Sequence, residues 1–194
     1  MDRVTSNILG RPLRIRDDDI DAALPQALSE AVFTDHRHVT ATIPSRTAVF
    51  NSIIQYRLLC GKILTTLHRH RDDKMPLHTA IKFRDDLAEN LETWLSNVRQ
   101  LGLAQDLSSS VQGQSCFLSE VWFCVLYANA KLMIWRPCPL LSDLSNDQVS
   151  LQKIHESSVQ AINVYAQLHK SRKINYSWIT LQSCLLAGLS FMYV

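Results

Sequence analysis

The sequence has no CxxC pair, no GxGxxG or GxxxxGK[ST] loop, no GxSxG elbow and no HExxH helix. Each absence removes a signal for one chemistry. They are the marks of paired-thiol zinc or redox sites, phosphate-cradling loops, esterase-type nucleophiles and zinc hydrolases. Glycine and proline are scarce, five and six in 194 residues, so the chain has few places to turn and long helices are favoured. The net charge is only +2, with a pI near 8.3, which gives no basic field of the kind that grips nucleic acid. The first residues, MDRVTSNIL, lack the apolar core of a signal peptide. Cys60, Cys116, Cys124, Cys138 and Cys184 are scattered, odd in number and mostly set in apolar runs, which reads as reduced, buried thiols of an intracellular protein.

Apolar residues make up 46% of the chain, enough for one domain with its own core. Residues 1–47 show no sustained period and are broken by Pro12, Pro25 and Pro44. They read as an irregular connector with one short helix near Gln26 to Phe33. From residue 48 onward the text is helical. Val49, Ile53, Tyr56, Cys60, Ile63 and Leu67 recur at steps of four and three and form one stripe, with Thr47 as the expected N-cap. A second helix opens at Pro76 and buries Ile81, Leu87, Leu91, Trp94, Leu95 and Val98, with Asp85, Asp86, Glu89 and Glu92 on its wet face. A third, Cys116 to Trp135, is apolar on nearly every side, which places it at the centre of a bundle. A fourth, about Asn146 to His169, turns Ile154, Ala161, Ile162, Tyr165 and Leu168 inward. A fifth starts near Tyr176 and runs to the end. The expected fold is all-α: an irregular segment, then about five helices packed as an antiparallel bundle over 48–194.

The last helix has two readings. Trp178 to Val194 is almost all apolar and follows a basic connector, as a tail anchor does. It is at the short limit for a hydrocarbon core of ~30 Å and contains Gln182, Ser183 and Ser190, which favours a buried core helix. The stop in mid-helix suggests a truncated chain.

Few side-chain groups suggest chemistry. In LGRPLRIRDDDIDAALP, residues 9–25, Asp17, Asp19 and Asp21 alternate as calcium ligands do. A calcium loop beginning at Asp17 would need glycine at its sixth position and a carboxylate at its twelfth, and has Ala22 and Leu28. Helix capping and solvated charge are the simpler roles. His36 with His38, and His68 with His70, are spaced i, i+2; on a helix such pairs diverge, and the first pair reads as exposed loop. Trp94, Trp122, Trp135 and Trp178 read as core. The basic clusters at 68–74 and 169–173 read as helix ends with cations suited to the dipole. No catalytic or metal-binding residues are assigned, and the chain is not expected to be an enzyme.

The opening stretch resembles the GRP-x-x-I-x-D-x-D-I-D-x-x-LP signature of the fungal-specific transcription factor domain, the middle homology or regulatory region of fungal zinc-cluster transcription factors. Gly10, Arg11, Pro12, Ile15, Asp17, Asp19, Ile20, Asp21, Leu24 and Pro25 match it. LLCGKILTTLH (58–68) and LYANAKLMIWRPCPLL (126–141), with Arg136 and Pro137, resemble later blocks of the family. The closing block carries Tyr176, Trp178, Ala187, Gly188 and Leu189. The resemblance implies structural roles for these residues, a nuclear location and an all-helical domain that tunes RNA polymerase II transcription through protein contacts or, in some members, a small-molecule effector. The six-cysteine zinc cluster of such factors has no counterpart here, so zinc and DNA contact would belong to a module absent from this chain. Transcription machinery or a second copy are the implied partners, and no membrane. The competing readings are a tail-anchored or membrane-surface helical protein and a helical enzyme.

Overall fold

The computed structural model describes residues 5–6, 9, 11–15, 19–26, 45–68, 75–103, 119–144 (142–144 as backbone only), 147–174 and 176–194. Among them are five α-helices and no strand: α1 Arg46–Ile63, α2 Leu77–Arg99, α3 Glu120–Trp135, α4 Gln148–Lys170 and α5 Trp178–Tyr193. The fold is all-α. A π-helical turn, Leu64–His68, extends α1, and a 3-10 segment, Pro139–Leu144, links α3 to α4. The short helix expected near residues 26–33 lies almost wholly outside the described residues.

Helix α3 organises the rest. Phe123, Leu126, Tyr127, Ala130, Met133 and Ile134 face α1 and α2 and join Tyr56, Ile63, Leu67, Leu91, Trp94 and Val98 in the main core. Val121 and Val125, one to two turns apart from Ala128 and Leu132, face the other way. They meet Ile154, Ala161, Tyr165 and Leu168 of α4 and Ala187 of α5. A helix with two apolar faces needs cover on both sides, and consecutive helices supply it. Three rings from three helices meet at the centre: Tyr56 lies 5.1 Å from Trp94 and Trp94 lies 5.9 Å from Phe123, centroid to centroid. The Trp94 indole N–H donates to the Ser52 carbonyl at 2.9 Å, so its polar edge is satisfied inside the core.

The helix ends depart from expectation in ways that have local causes. Ser45 rather than Thr47 stands at the N-cap of α1, and Thr47 is already helical. Pro76 is the N-cap of α2 rather than its first turn; its carbonyl accepts the amides of Thr79 and Ala80. Ser119 is extended (φ −104°, ψ 143°), so α3 begins at Glu120, four residues later than the apolar run suggests. Asp147 caps α4 by accepting from the Ser150 amide at 3.2 Å. Gly102, just past the end of α2, has φ +66°, the left-handed turn that glycine takes at no steric cost. The end of α4 makes the same turn without glycine. Arg172 sits at φ 55°, while its amide bonds the His169 carbonyl and the Lys173 amide reaches back to Leu168, both at 3.0 Å.

Two corrections concern burial. Ile162 is 39% exposed and points away from the core. The fifth helix is not a buried core helix: only Ala187 is buried, while Trp178, Leu181, Leu185, Leu189 and Met192 are each more than half exposed. Trp178 is therefore surface, not core. Among the described residues no helix is long and apolar enough to cross a membrane.

This division of burial predicts unequal substitution costs. Phe123→Ala, at a site of 0% exposure, is expected to cost about 3–5 kcal/mol through the cavity it leaves. Leu181→Ala, 61% exposed on the outer side of α5, is expected to cost about 1 kcal/mol or less. Urea unfolding of both variants measures the contrast, and equal costs would contradict the placement of α5.

Candidate functional site

Two buried polar residues, Arg84 and Ser150, meet where α2, the end of α3 and the start of α4 come together. Arg84 brings a charge into the buried stripe of α2. It falls on the series Ala80, Arg84, Leu87, Leu91, Trp94, Val98 and is 8% exposed. Its guanidinium carbon stands 4.3 Å from the centroid of the Trp135 ring. Its Nη1 donates to Ser150 Oγ at 3.3 Å and its Nε to Asp85 Oδ1 at 3.2 Å. Ser150 Oγ in turn donates to Asp147 Oδ2 at 3.3 Å. The arginine of α2 is thus joined to the N-cap of α4 through one hydroxyl.

Arg136 and Pro137 form the other wall. Pro137 ends α3 because it has no N–H to donate and disfavours helical geometry in the residue before it. Arg136 accordingly has extended backbone angles (φ −60°, ψ 152°). The missing N–H has a consequence four residues back, because the Met133 carbonyl cannot receive the usual helical bond from position 137. His68 supplies a donor instead: its Nε2–H reaches the Met133 oxygen at 2.7 Å. The π-helical turn carries His68 there. The Thr65 hydroxyl bonds back to the Gly61 carbonyl at 2.9 Å, a local competition that accompanies the widened turn.

Together Arg84, Ile134, Trp135, Arg136, Pro137, Cys138, Leu141 and Ser150 line a small crevice. Burial holds His68 neutral to about pH 4, assisted by the nearby Arg136 charge and opposed by the bond to Met133. Burial also keeps Arg136 below the ordinary guanidinium range. Burial raises the Cys138 thiol against backbone amides and the charges of both Arg84 and Arg136, so it is a poor nucleophile. Among the described residues no group of three His, Cys, Asp or Glu side chains is placed to hold a metal ion.

The signature residues do not gather here. Arg11, Pro12, Ile15, Asp19, Ile20, Asp21, Leu24 and Pro25 are exposed along the N-terminal segment, while Gly10 and Asp17 lie outside the described residues. Asn51 Nδ2 of α1 donates to the Pro25 carbonyl of this segment at 2.7 Å. At the other end Tyr176 is 80% exposed, Ala187 is fully buried, Gly188 is half-buried and Leu189 is exposed. Among the described signature residues only Arg136 and Pro137 line the crevice. Arg84, Ser150 and His68 carry its polar contacts and were not assigned from the sequence. For Arg84 and Ser150 the heptad-like stripe contained the information, since each stands at a core-facing step of its helix. His68 reads from the sequence as the end of a helix, yet it pairs with a residue 65 positions away.

Along its whole length the chain is similar to fungal proteins. It is 20% identical over 201 positions to Pyrimidine pathway regulatory protein 1 of Saccharomyces cerevisiae, covering 100% of this chain and 21% of that protein. It is 24% identical to Protein STB5 of the same yeast, covering 99% and 26%. It is 22% identical to Positive regulator of purine utilization of Emericella nidulans, covering 99% and 21%. Two of these relatives are named as regulators, one of a pyrimidine pathway and one of purine utilization. The chain spans about a fifth to a quarter of the length of the curated relatives it matches. No family model and no solved structure matches it.

The geometry at His68 sets a pH dependence. Its proton affinity is lowered from the ordinary 6.5 to about 4 in the fold. Between those values the unfolded chain holds the proton and the folded chain does not. The contribution of neutral His68 is complete above pH 6.5, shrinks as pH falls and levels off below about 4. A shift of this size corresponds to on the order of 3 kcal/mol. His68→Gln keeps a donor for Met133 without a titrating ring. Urea unfolding at pH 7.5, 5.5 and 4.5 is expected to show a shallower pH slope for the variant, and parallel slopes would refute the assignment.

Proposed function

We propose that this chain is the regulatory region of a fungal zinc-cluster transcription factor. It acts in the nucleus and modulates RNA polymerase II transcription through contacts with other proteins or a small ligand. In this reading residues 48–194 are the helical regulatory domain and residues 1–47 are a connector. The signature residues within the connector hold structure rather than perform chemistry. DNA is held by a zinc cluster outside these residues, and no reaction is catalysed here.

The observation that carries the reading is the end-to-end likeness to transcriptional regulators at 20–24% identity, without interruption by another domain. The surface supports protein contact as the means. α5 contains no charged residue, and its outer face presents Trp178, Leu181, Leu185, Leu189 and Met192 at steps of three and four. Monomeric surfaces seldom leave so continuous an apolar strip uncovered.

Fused to a foreign DNA-binding module, the chain is expected to raise or lower a reporter several-fold. The double change Leu181→Asp with Leu185→Asp is expected to abolish the effect while leaving the melting temperature within ~2 °C, since neither side chain is in the core. A reporter unmoved by the wild-type fusion would remove the regulatory reading. Loss of the effect together with flotation of the purified wild-type chain on vesicles would favour a membrane-surface role for the same face.

A further inference from the structure

We propose that the outer face of α5 pairs with the same face of a second copy of this chain, the two helices running antiparallel about a two-fold axis at Leu185. Taking this pairing as the means of regulation rests on the reading above; the pairing itself rests on spacing, charge and exposed area.

The spacing is self-complementary. Trp178, Leu181, Leu185, Leu189 and Met192 stand at steps of three, four, four and three. That series reads the same in both directions from Leu185. A two-fold axis there sets Leu185 against its own counterpart, Leu181 against the partner's Leu189 and Trp178 against the partner's Met192. Each contact off the axis is then made twice, as a closed two-fold interface requires. The thioether of methionine is also a favourable neighbour for an indole ring. Contact with an unrelated partner calls for no such symmetry.

Gly188 adds a second observation. It lies one turn beyond Leu185, and a Cβ at this position would meet no packed neighbour within 4 Å. No packing inside the chain therefore calls for glycine, which weakens a helix interior relative to alanine. A bare stretch of backbone beside Leu185 lets the axis of a second helix come close.

Charge sets the orientation. α5 contains no charged residue, so the pairing buries no ion. The cations nearest in sequence are Lys170, Arg172 and Lys173, ahead of its first turn. A parallel pair would set two such clusters side by side. The sixteen residues of α5 span about 24 Å, so an antiparallel pair holds the clusters apart by more than the Debye length of roughly 8 Å. Each cluster then stands near the C-terminal carbonyls of the other helix, which carry partial negative charge. Area sets the strength. The five side chains are between 52% and 80% exposed, which amounts to roughly 600 Å² per copy. A pair buries about 1,200 Å², the lower end of the range for specific interfaces. The expected Kd is about 1–100 µM.

Sedimentation equilibrium of the purified 194-residue chain, at concentrations on both sides of that Kd, is expected to show a reversible rise from the mass of one copy to that of two. Leu185→Asp sets two carboxylates against each other at the axis and is expected to raise Kd by roughly tenfold or more. Phe50→Asp, at a position 53% exposed on α1, is expected to leave it unchanged. Leu181→Lys is expected to weaken the pair, and adding Leu189→Asp to recover part of the loss, because the two positions face each other only in the antiparallel arrangement. These positions lie outside the core, so each variant is expected to melt like the wild type at low concentration. A one-copy mass throughout overturns the pairing, as does a dimer that Leu185→Asp leaves intact. Flotation of that one-copy chain on vesicles of phosphatidylserine and phosphatidylcholine assigns the strip to a lipid surface instead. Absence of recovery in the double variant overturns the antiparallel arrangement. Mass is read without transcription. A one-copy chain with an active reporter removes the pairing alone, and a dimer with an inert reporter removes the regulatory reading alone.

Discussion

Helix α3 is buried on two opposite faces and has no fully exposed residue, and that single constraint sets the arrangement of the other helices. Its sixteen residues include Phe123 and Ile134 at almost zero exposure on one side and Ala128 and Leu132 on the other. Removing both sides from water needs a layer in front, supplied by α1 and α2, and a layer behind, supplied by α4 and α5. At roughly 25 cal/mol per Å² of apolar area, this two-sided burial is the largest favourable contribution that one helix can make. The front layer is closed by large aromatic side chains. The back layer is closed by small ones, Ser157, Ser158, Ala161 and Ala187, which let α4 and α5 come near.

The polar crevice follows from how α3 ends. A proline stops the helix, a histidine from a widened turn of α1 satisfies the carbonyl left behind, and an arginine is left with desolvated charge. None of these groups forms a nucleophile and base pair. Cys138 is held as a thiol and His68 as a neutral donor, so both work as structure.

Much of this was legible in the sequence because apolar spacing reports helices directly. The stripes of α1, α2 and α4, the central place of α3 and the all-α class all follow from steps of three and four. Two kinds of feature were not legible. Burial of polar residues was missed because a periodic stripe is read from its apolar members; Arg84 and Ser150 stand on such stripes and break the pattern. The exposure of α5 was missed because apolar composition says what a helix would bury, not whether a neighbour is present to bury it against. His68 fails for a third reason: its partner is defined by the missing N–H of Pro137, and that pairing exists only once three helices have been placed. Conversely, the signature residues 11–25 are conspicuous in the text and mostly exposed in the fold.

The thin attachment of α5 has a consequence for motion. The helix meets the rest chiefly through α4, with Ala187 its single buried residue, and it is joined by a turn in which Arg172 holds a backbone angle that glycine takes more readily. Opening α5 therefore breaks few contacts and leaves the aromatic centre intact. The amide hydrogens of α5 belong to the early-exchanging population, released by a partial opening well below the free energy of global unfolding. Those of α3 wait for the whole bundle to come apart.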